Sequence, residues 1–215
     1  MYTRRAYLST GALGLISLAG CTDAPISDPK TATDAETPPS GAVGRIQVVD
    51  SEESPTLPVR PRVAVAEPYV TAESTSVLRV DVENTGDEAV AVGEYRAVVF
   101  WYVHDEDGAY VLLPHSERST TGTPPRSPPD VETTDGNDCW RLASGVAVTA
   151  EYGTVEIPAG GTLTAFAGLY TDHETSACLP TGEFDFRTTY AVDPLAEETP
   201  STRGSWGFSL SVEPL

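Results

Sequence analysis

The stretch Leu78-Arg79-Val80-Asp81-Val82-Glu83 decides the fold class, because apolar and charged residues alternate through it without a break. A period of two places Leu78, Val80 and Val82 on one side of an extended chain and Arg79, Asp81 and Glu83 on the other. That is the pattern of a strand with one buried and one solvated face. Upstream, Val63 and Val65 alternate with Arg62 and Ala64 in the same way. Downstream, the run from Tyr95 to Val103 holds Val98, Val99, Phe100, Trp101 and Tyr102. It is apolar on both sides and is expected to be a central strand. Asp107 and Gly108 then predict a type I′ hairpin turn, with the chain returning through Tyr110, Val111, Leu112 and Leu113. Further strands are expected from Val146 to Ala150, Leu163 to Tyr170, Phe184 to Val192 and Trp206 to Val212. No amphipathic helix stands out.

Short strands at this spacing, with turn residues between them, predict an all-β fold, an antiparallel sandwich of roughly seven to nine strands. Residues 45–215 are assigned to it, long enough for one domain with a substantial core. Trp101 and Trp206 are expected in that core. Residues 114–138 interrupt the pattern with Pro124, Pro125, Pro128 and Pro129 and read as a long surface loop. Loops of this kind on a rigid scaffold are places where binding residues sit.

The other informative stretch lies at the start. Arg4 and Arg5 precede a short apolar run that ends in Leu18, Ala19, Gly20 and Cys21. A basic start, an apolar run of roughly a dozen residues and small residues before a cleavage point make a secretory signal. The run is too short to span a bilayer, which takes about 20 apolar residues. Arg4 and Arg5, followed by Tyr7 and Leu8, resemble the twin-arginine export signal. Leu18, Ala19, Gly20 and Cys21 resemble a lipobox, which implies that Cys21 takes the lipid and becomes the new N-terminus. Residues 1–20 are therefore assigned to a twin-arginine lipoprotein signal peptide. Residues 21–44, rich in Ser, Thr, Pro and Asp with almost nothing to bury, are assigned to the lipidated cysteine and a disordered spacer.

Acidic residues number 32 against 13 basic ones, for a net charge of −19, and Lys30 is the single lysine. Self-repulsion of this size is relieved by abundant salt, and the composition resembles that of haloarchaeal proteins. It also argues against nucleic acid as a partner, since no basic stripe exists to neutralise phosphates.

With Cys21 assigned to the lipid, Cys139 and Cys178 are expected to form a disulfide in an exported protein. Closing a loop of roughly 40 residues stabilises by about 4 kcal/mol in the chain-entropy account. Trp140 is expected to pack against that bond. Copper sites in sandwich proteins use two imidazoles, a thiolate and often an axial methionine. Here the sole methionine is Met1, and His104, His115 and His173 are scattered, so no metal ligand and no cofactor is assigned. Asp105, Glu106 and Asp107 lack the alternating spacing of a calcium loop and read as a solvated hairpin tip. No nucleophile elbow, phosphate-binding loop or zinc-protease motif occurs. No catalytic residue is assigned, and the protein is expected not to be an enzyme.

Three turn segments carry a family resemblance. Val80 to Val92 (VDVENTGDEAVAV) resembles the strand, Asn-Thr-Gly turn and strand of immunoglobulin-like domains of cell-surface proteins. Ile157 to Leu163 (IPAGGTL) resembles the turn that opens a later strand in them. Leu179 to Phe186 (LPTGEFDF) resembles the lead into their penultimate strand, as in CARDB-type adhesion modules and the BsuPI-type proteinase-inhibitor domain. The resemblance implies an immunoglobulin-like sandwich. Together with the signal, it implies a lipid-anchored binding module without catalytic activity at the outer face of the cell membrane. Its partners would be the membrane, through the anchor, and another envelope protein or glycan. The alternatives are a BsuPI-like inhibitor of an extracellular protease, or a small-ligand or copper carrier.

Overall fold

The computed structural model describes residues 37–115, 130–134, 137–148, 152–194 and 202–215, with backbone alone at 132–134 and 137–139. Arg4, Arg5, Leu18, Ala19, Gly20 and Cys21 lie outside these residues, as does most of the spacer. The folded unit begins at Pro38, so the last residues counted with the spacer belong to the sandwich. There the Val43 N–H donates to the Val70 carbonyl at 2.9 Å, and the Leu215 N–H donates to the Val43 carbonyl at 3.1 Å.

Period-two alternation becomes strand at residues 78–83, as expected, and over much of the chain. In order, the strands are β1 (Gly44–Ser51), β2 (Val59–Glu67), β3 (Tyr69–Val70), β4 (Val77–Asn84) and β5 (Val90–Gly93). One helical turn, α1 (Tyr95–Val98), leads to β6 (Val103–His104), β7 (Tyr110–Pro114), β8 (Val131–Thr134) and β9 (Asn137–Leu142). The chain ends with β10 (Thr154–Ile157), β11 (Thr162–Thr171), β12 (Gly182–Val192) and β13 (Thr202–Pro214). One sheet runs β10-β5-β12-β13-β1-β3; the other runs β2-β4-β11-β7-β6, with β9 joined to β11 and β8 to β9. Pairing is antiparallel except where Arg141 of β9 meets Thr171 of β11 in parallel. The protein is an all-β sandwich compatible with an immunoglobulin-like arrangement. Among the described residues it has thirteen strand segments, of which eight reach five residues or more. The count exceeds the seven to nine read from the sequence because very short segments such as β3 and β6 leave no alternation to read.

The inner faces make the core. Leu78, Val80 and Val82 of β4 face Phe184, Phe186, Trp206, Phe208 and Leu210 across the sandwich, all buried. Arg79, between them, points to solvent. Asn84, only 1% exposed, ties together two of the turns that carry the family resemblance. Its amide nitrogen donates to the carbonyls of Glu88, Ile157 and Pro158 at 2.8, 2.9 and 3.1 Å. Its amide oxygen accepts from the Gly86 N–H at 2.9 Å.

Tyr95 to Val103 is not a central strand. It forms α1 and then an irregular turn in which Phe100 and Tyr102 take left-handed φ values of 55° and 62°. Val98, Val99, Phe100 and Trp101 are nonetheless all buried. The segment is a plug between the sheets, and its side chains reach both of them. The Phe100 ring meets Trp206 edge-on with centroids 5.5 Å apart, while the Trp101 indole N–H donates to the Phe166 carbonyl at 3.3 Å. An apolar run buried on every side carries the same composition whether extended or coiled, which is why periodicity misassigned it.

The hairpin at Asp107 and Gly108 also differs from the expected type I′ turn, which needs positive φ at both residues. Only Gly108 has one, at 72°. The Gly108 N–H donates to the Asp105 carbonyl at 3.1 Å, so a type I turn is followed by a left-handed glycine. Residues 146–148 are irregular rather than strand, and Thr149 and Ala150 lie outside the described residues. The interruption assigned to 114–138 is not wholly loop, because β8 and the start of β9 form a hairpin at its end.

That hairpin explains why β7 is buried on both faces. Tyr110 and Leu112 point into the main core. Val111 and Leu113 point outward into a second apolar cluster with Leu142 and Tyr170, flanked by Trp140, Val131 and Val146. Gly168 has a clear role here: a Cβ at this position would lie 2.9 Å from the Tyr170 ring, so a larger residue would lift that ring off the sheet.

Candidate functional site

Chemistry-bearing side chains gather at one end of the sandwich, where the β6–β7 hairpin, residues 172–180 after β11, and β9 converge. Asp105 begins the hairpin turn. Read from sequence as part of a solvated tip, its side chain is instead turned inward and only 4% of the residue is exposed. The short carboxylate there accepts from the Asp107 N–H at 3.0 Å and the Tyr110 N–H at 2.5 Å, which satisfies two turn donors at once. Glu106 and Asp107 are exposed, as a hairpin tip should be.

Two of the three histidines meet at one carboxylate. His173 Nδ1 lies 3.0 Å from Asp172 Oδ1, and His104 Nδ1 lies 3.6 Å from Asp172 Oδ2. His115 sits elsewhere, with its backbone N–H donating to the Phe166 carbonyl at 2.8 Å. Asp172 is buried because it organises its own loop. Its backbone N–H donates to the Ala109 carbonyl at the hairpin tip, and its carbonyl accepts from the Thr175 N–H. Its Oδ1 also accepts from the Glu174 N–H at 2.9 Å. The His173 ring lies against Gly145, where a Cβ would come within 3.1 Å of it.

The same loop reaches β9 and the hairpin strand. Arg141 donates to the Thr175 carbonyl at 3.3 Å. Thr171 Oγ1 donates to the Cys178 carbonyl at 2.8 Å, and the Tyr110 hydroxyl donates to the Pro180 carbonyl at 2.6 Å. Burial pushes the Tyr110 phenol well above its ordinary range, and the nearby Asp105 charge adds to this while a hydrogen bond with Thr171 opposes it. Tyr110 is thus a neutral donor holding the loop at any moderate pH.

An imidazole oriented by a carboxylate is half of a general-base arrangement. Among the described residues no hydroxyl or thiol is hydrogen-bonded to either imidazole of this pair, so the other half is not assembled. Nor do the described residues contain a group of three or more His, Cys, Asp or Glu able to hold a metal ion. Within the described residues, the Asp172 carboxylate joins the hairpin, through His104, to its own loop, through His173 and the Glu174 N–H.

The expected packing of Trp140 against a Cys139–Cys178 bond involves a Cys139 side chain that lies outside the described residues. What is described of Trp140 is its contact with Thr71 and Tyr170. It is half-buried, its indole N–H donates to the Thr71 carbonyl at 2.8 Å, and its ring meets Tyr170 edge-on with centroids 6.2 Å apart. Sequence reasoning missed Asp105 and Asp172 as organising residues because nothing local separates a carboxylate that caps a turn from one that is solvated. Comparison of the chain with protein families, with curated proteins and with solved structures gives no match.

Proposed function

We propose that the chain is a non-enzymatic binding module, held by a lipid on Cys21 at the outer face of a haloarchaeal membrane and engaging another envelope protein or glycan. The observation that carries this reading is how the sandwich uses its buried polar side chains. Asn84 and Asp105 bond to the backbone of turns, Thr75 bonds to the Leu169 carbonyl and Ser76 to the Glu67 carbonyl. These groups stiffen a scaffold rather than converge on a reacting atom. The signal and lipobox supply the address, and a net charge of −19 suits a surface bathed in salt. In this reading Cys139 and Cys178 are joined. Support comes from Arg141, which lies on the strand of Cys139 and bonds to the Thr175 carbonyl in the loop of Cys178.

The test is crosslinking of the lipoprotein on intact cells in native salt, followed by mass spectrometry. One dominant envelope partner, attached through a defined surface, is the expected result. Recovery of no reproducible partner, or of a protease that the purified protein inhibits, would remove the binding-module reading.

A further inference from the structure

Among the described residues, no strand pairs with the outer side of β2 from Val59 to Val63, and β2 is long for an edge of this molecule. Among the described residues the other edges are short, with β3 and β6 having two residues and β8 and β10 four, whereas β2 has nine. Proteins commonly keep edges short because a free edge is a template for another strand.

Its hydrogen-bond phase follows from its ends. β2 and β4 pair with Val59 opposite Asn84 and Val63 opposite Val80. The Thr85 N–H donates to the Pro58 carbonyl, while the Asn84 N–H turns the other way, to Gly161 beside β11. Alternation then directs the backbone groups of Arg60, Arg62 and Ala64 towards β4. Those of Val59, Pro61 and Val63 face outward. Pro61 falls where a missing N–H costs the existing sheet nothing. The outward N–H and C=O of Val63 and the outward carbonyls of Val59 and Pro61 are open to an added strand.

Beside Val59 to Val63 the side chains carry a local excess of positive charge, with Glu67 lying apart at the far end of β2. Arg60 and Arg62 are 46% and 63% exposed and share Glu83, each at 3.4 Å. Arg79, on the next strand, pairs with Asp81 at 3.0 Å. Three guanidiniums thus meet two carboxylates on a chain of net charge −19. A guanidinium has five donors, and Arg60 and Arg62 each direct a single terminal nitrogen at the shared Glu83.

We propose that β2 is a docking edge for an extended acidic strand of a partner protein. The partner adds to the sheet through backbone bonds at Val59 to Val63 and places carboxylates opposite Arg60 and Arg62. Salt screens the long-range repulsion between two acidic proteins, while contact-range arginine–carboxylate bonds persist. This inference rests on the binding-module reading and names where that binding occurs.

The test uses the full chain in native salt and a fluorescein-labelled peptide of alternating valine and glutamate, followed by anisotropy. Saturable binding is expected. It should weaken at least about tenfold in Val63→Pro, which removes an outward N–H while sparing the bonds to β4, and similarly in the exposed double variant Arg60→Glu with Arg62→Glu. Circular dichroism confirms that both variants are folded. The proposal is overturned by no saturable binding, by equal binding of a valine–lysine peptide, or by binding that both variants retain. Dimerisation that Val63→Pro abolishes also overturns it, since the occupant is then a second copy. Failure here removes β2 as the docking place, whereas absence of any crosslinked partner on cells removes the binding-module reading itself.

Discussion

Replacing Asn84 with alanine is expected to destabilise the sandwich by about 3 kcal/mol, because the carbonyls of Glu88, Ile157 and Pro158 and the N–H of Gly86 all lose their partner at a site closed to water. In a domain of this size that corresponds to a fall in Tm of roughly 6–12 °C. Asn84→Asp is the sharper variant. It keeps an acceptor for Gly86 but turns a negative charge towards three carbonyls, so its loss should exceed that of alanine. Thermal unfolding in native salt checks both. If alanine left Tm within a degree or so of the parent, or aspartate were the milder change, the account of Asn84 as the tie between two turns would fail.

Replacing Cys21 with alanine is expected to move most of the protein from the membrane fraction to the medium. Two acyl-type chains anchor a protein stably, whereas the remaining chain has no other apolar segment of spanning length to hold it. The described residues contain no helix long and apolar enough to cross a membrane. Fractionation of cells producing each form, with intact-mass measurement of the parent, decides the matter. An unlipidated parent that still carries Arg4 and Arg5, or a variant that stays with the membrane, would sink the anchor. Because the sandwich begins at Pro38, the substitution should leave its unfolding temperature unchanged, so release can be separated from misfolding.

How far the fold could be read from the chain depended on how each segment is buried. Where one face is wet, as in β4 with its alternating valines and charges, period two identifies the strand at once. β12, with Phe184, Phe186 and Tyr190 inward and Asp185 and Arg187 outward, is of the same kind. Where a segment is enclosed, the alternation vanishes and the information with it. Tyr110 to Leu113 and Tyr95 to Val103 look alike in sequence, yet the first is a strand covered by the β8–β9 hairpin and the second a coiled plug. The candidate site was less legible still. His104 and His173 could be named, but that Asp172 would join them and leave out His115 depends on where β6 and β11 end.

The sequence by itself determined the class of fold, the core positions of Trp101 and Trp206 and the acidic character of the chain. Each of these is a local property, fixed by the spacing or type of neighbouring residues. Tertiary structure alone decided that Asp105 is buried, that Asn84 ties two turns lying 73 residues apart, and that, among the described residues, β2 lies at the end of its sheet with its arginines beside Glu83. These depend on which strands become neighbours. Pairing partners are chosen by the free energy of the whole sandwich rather than by any window of the chain.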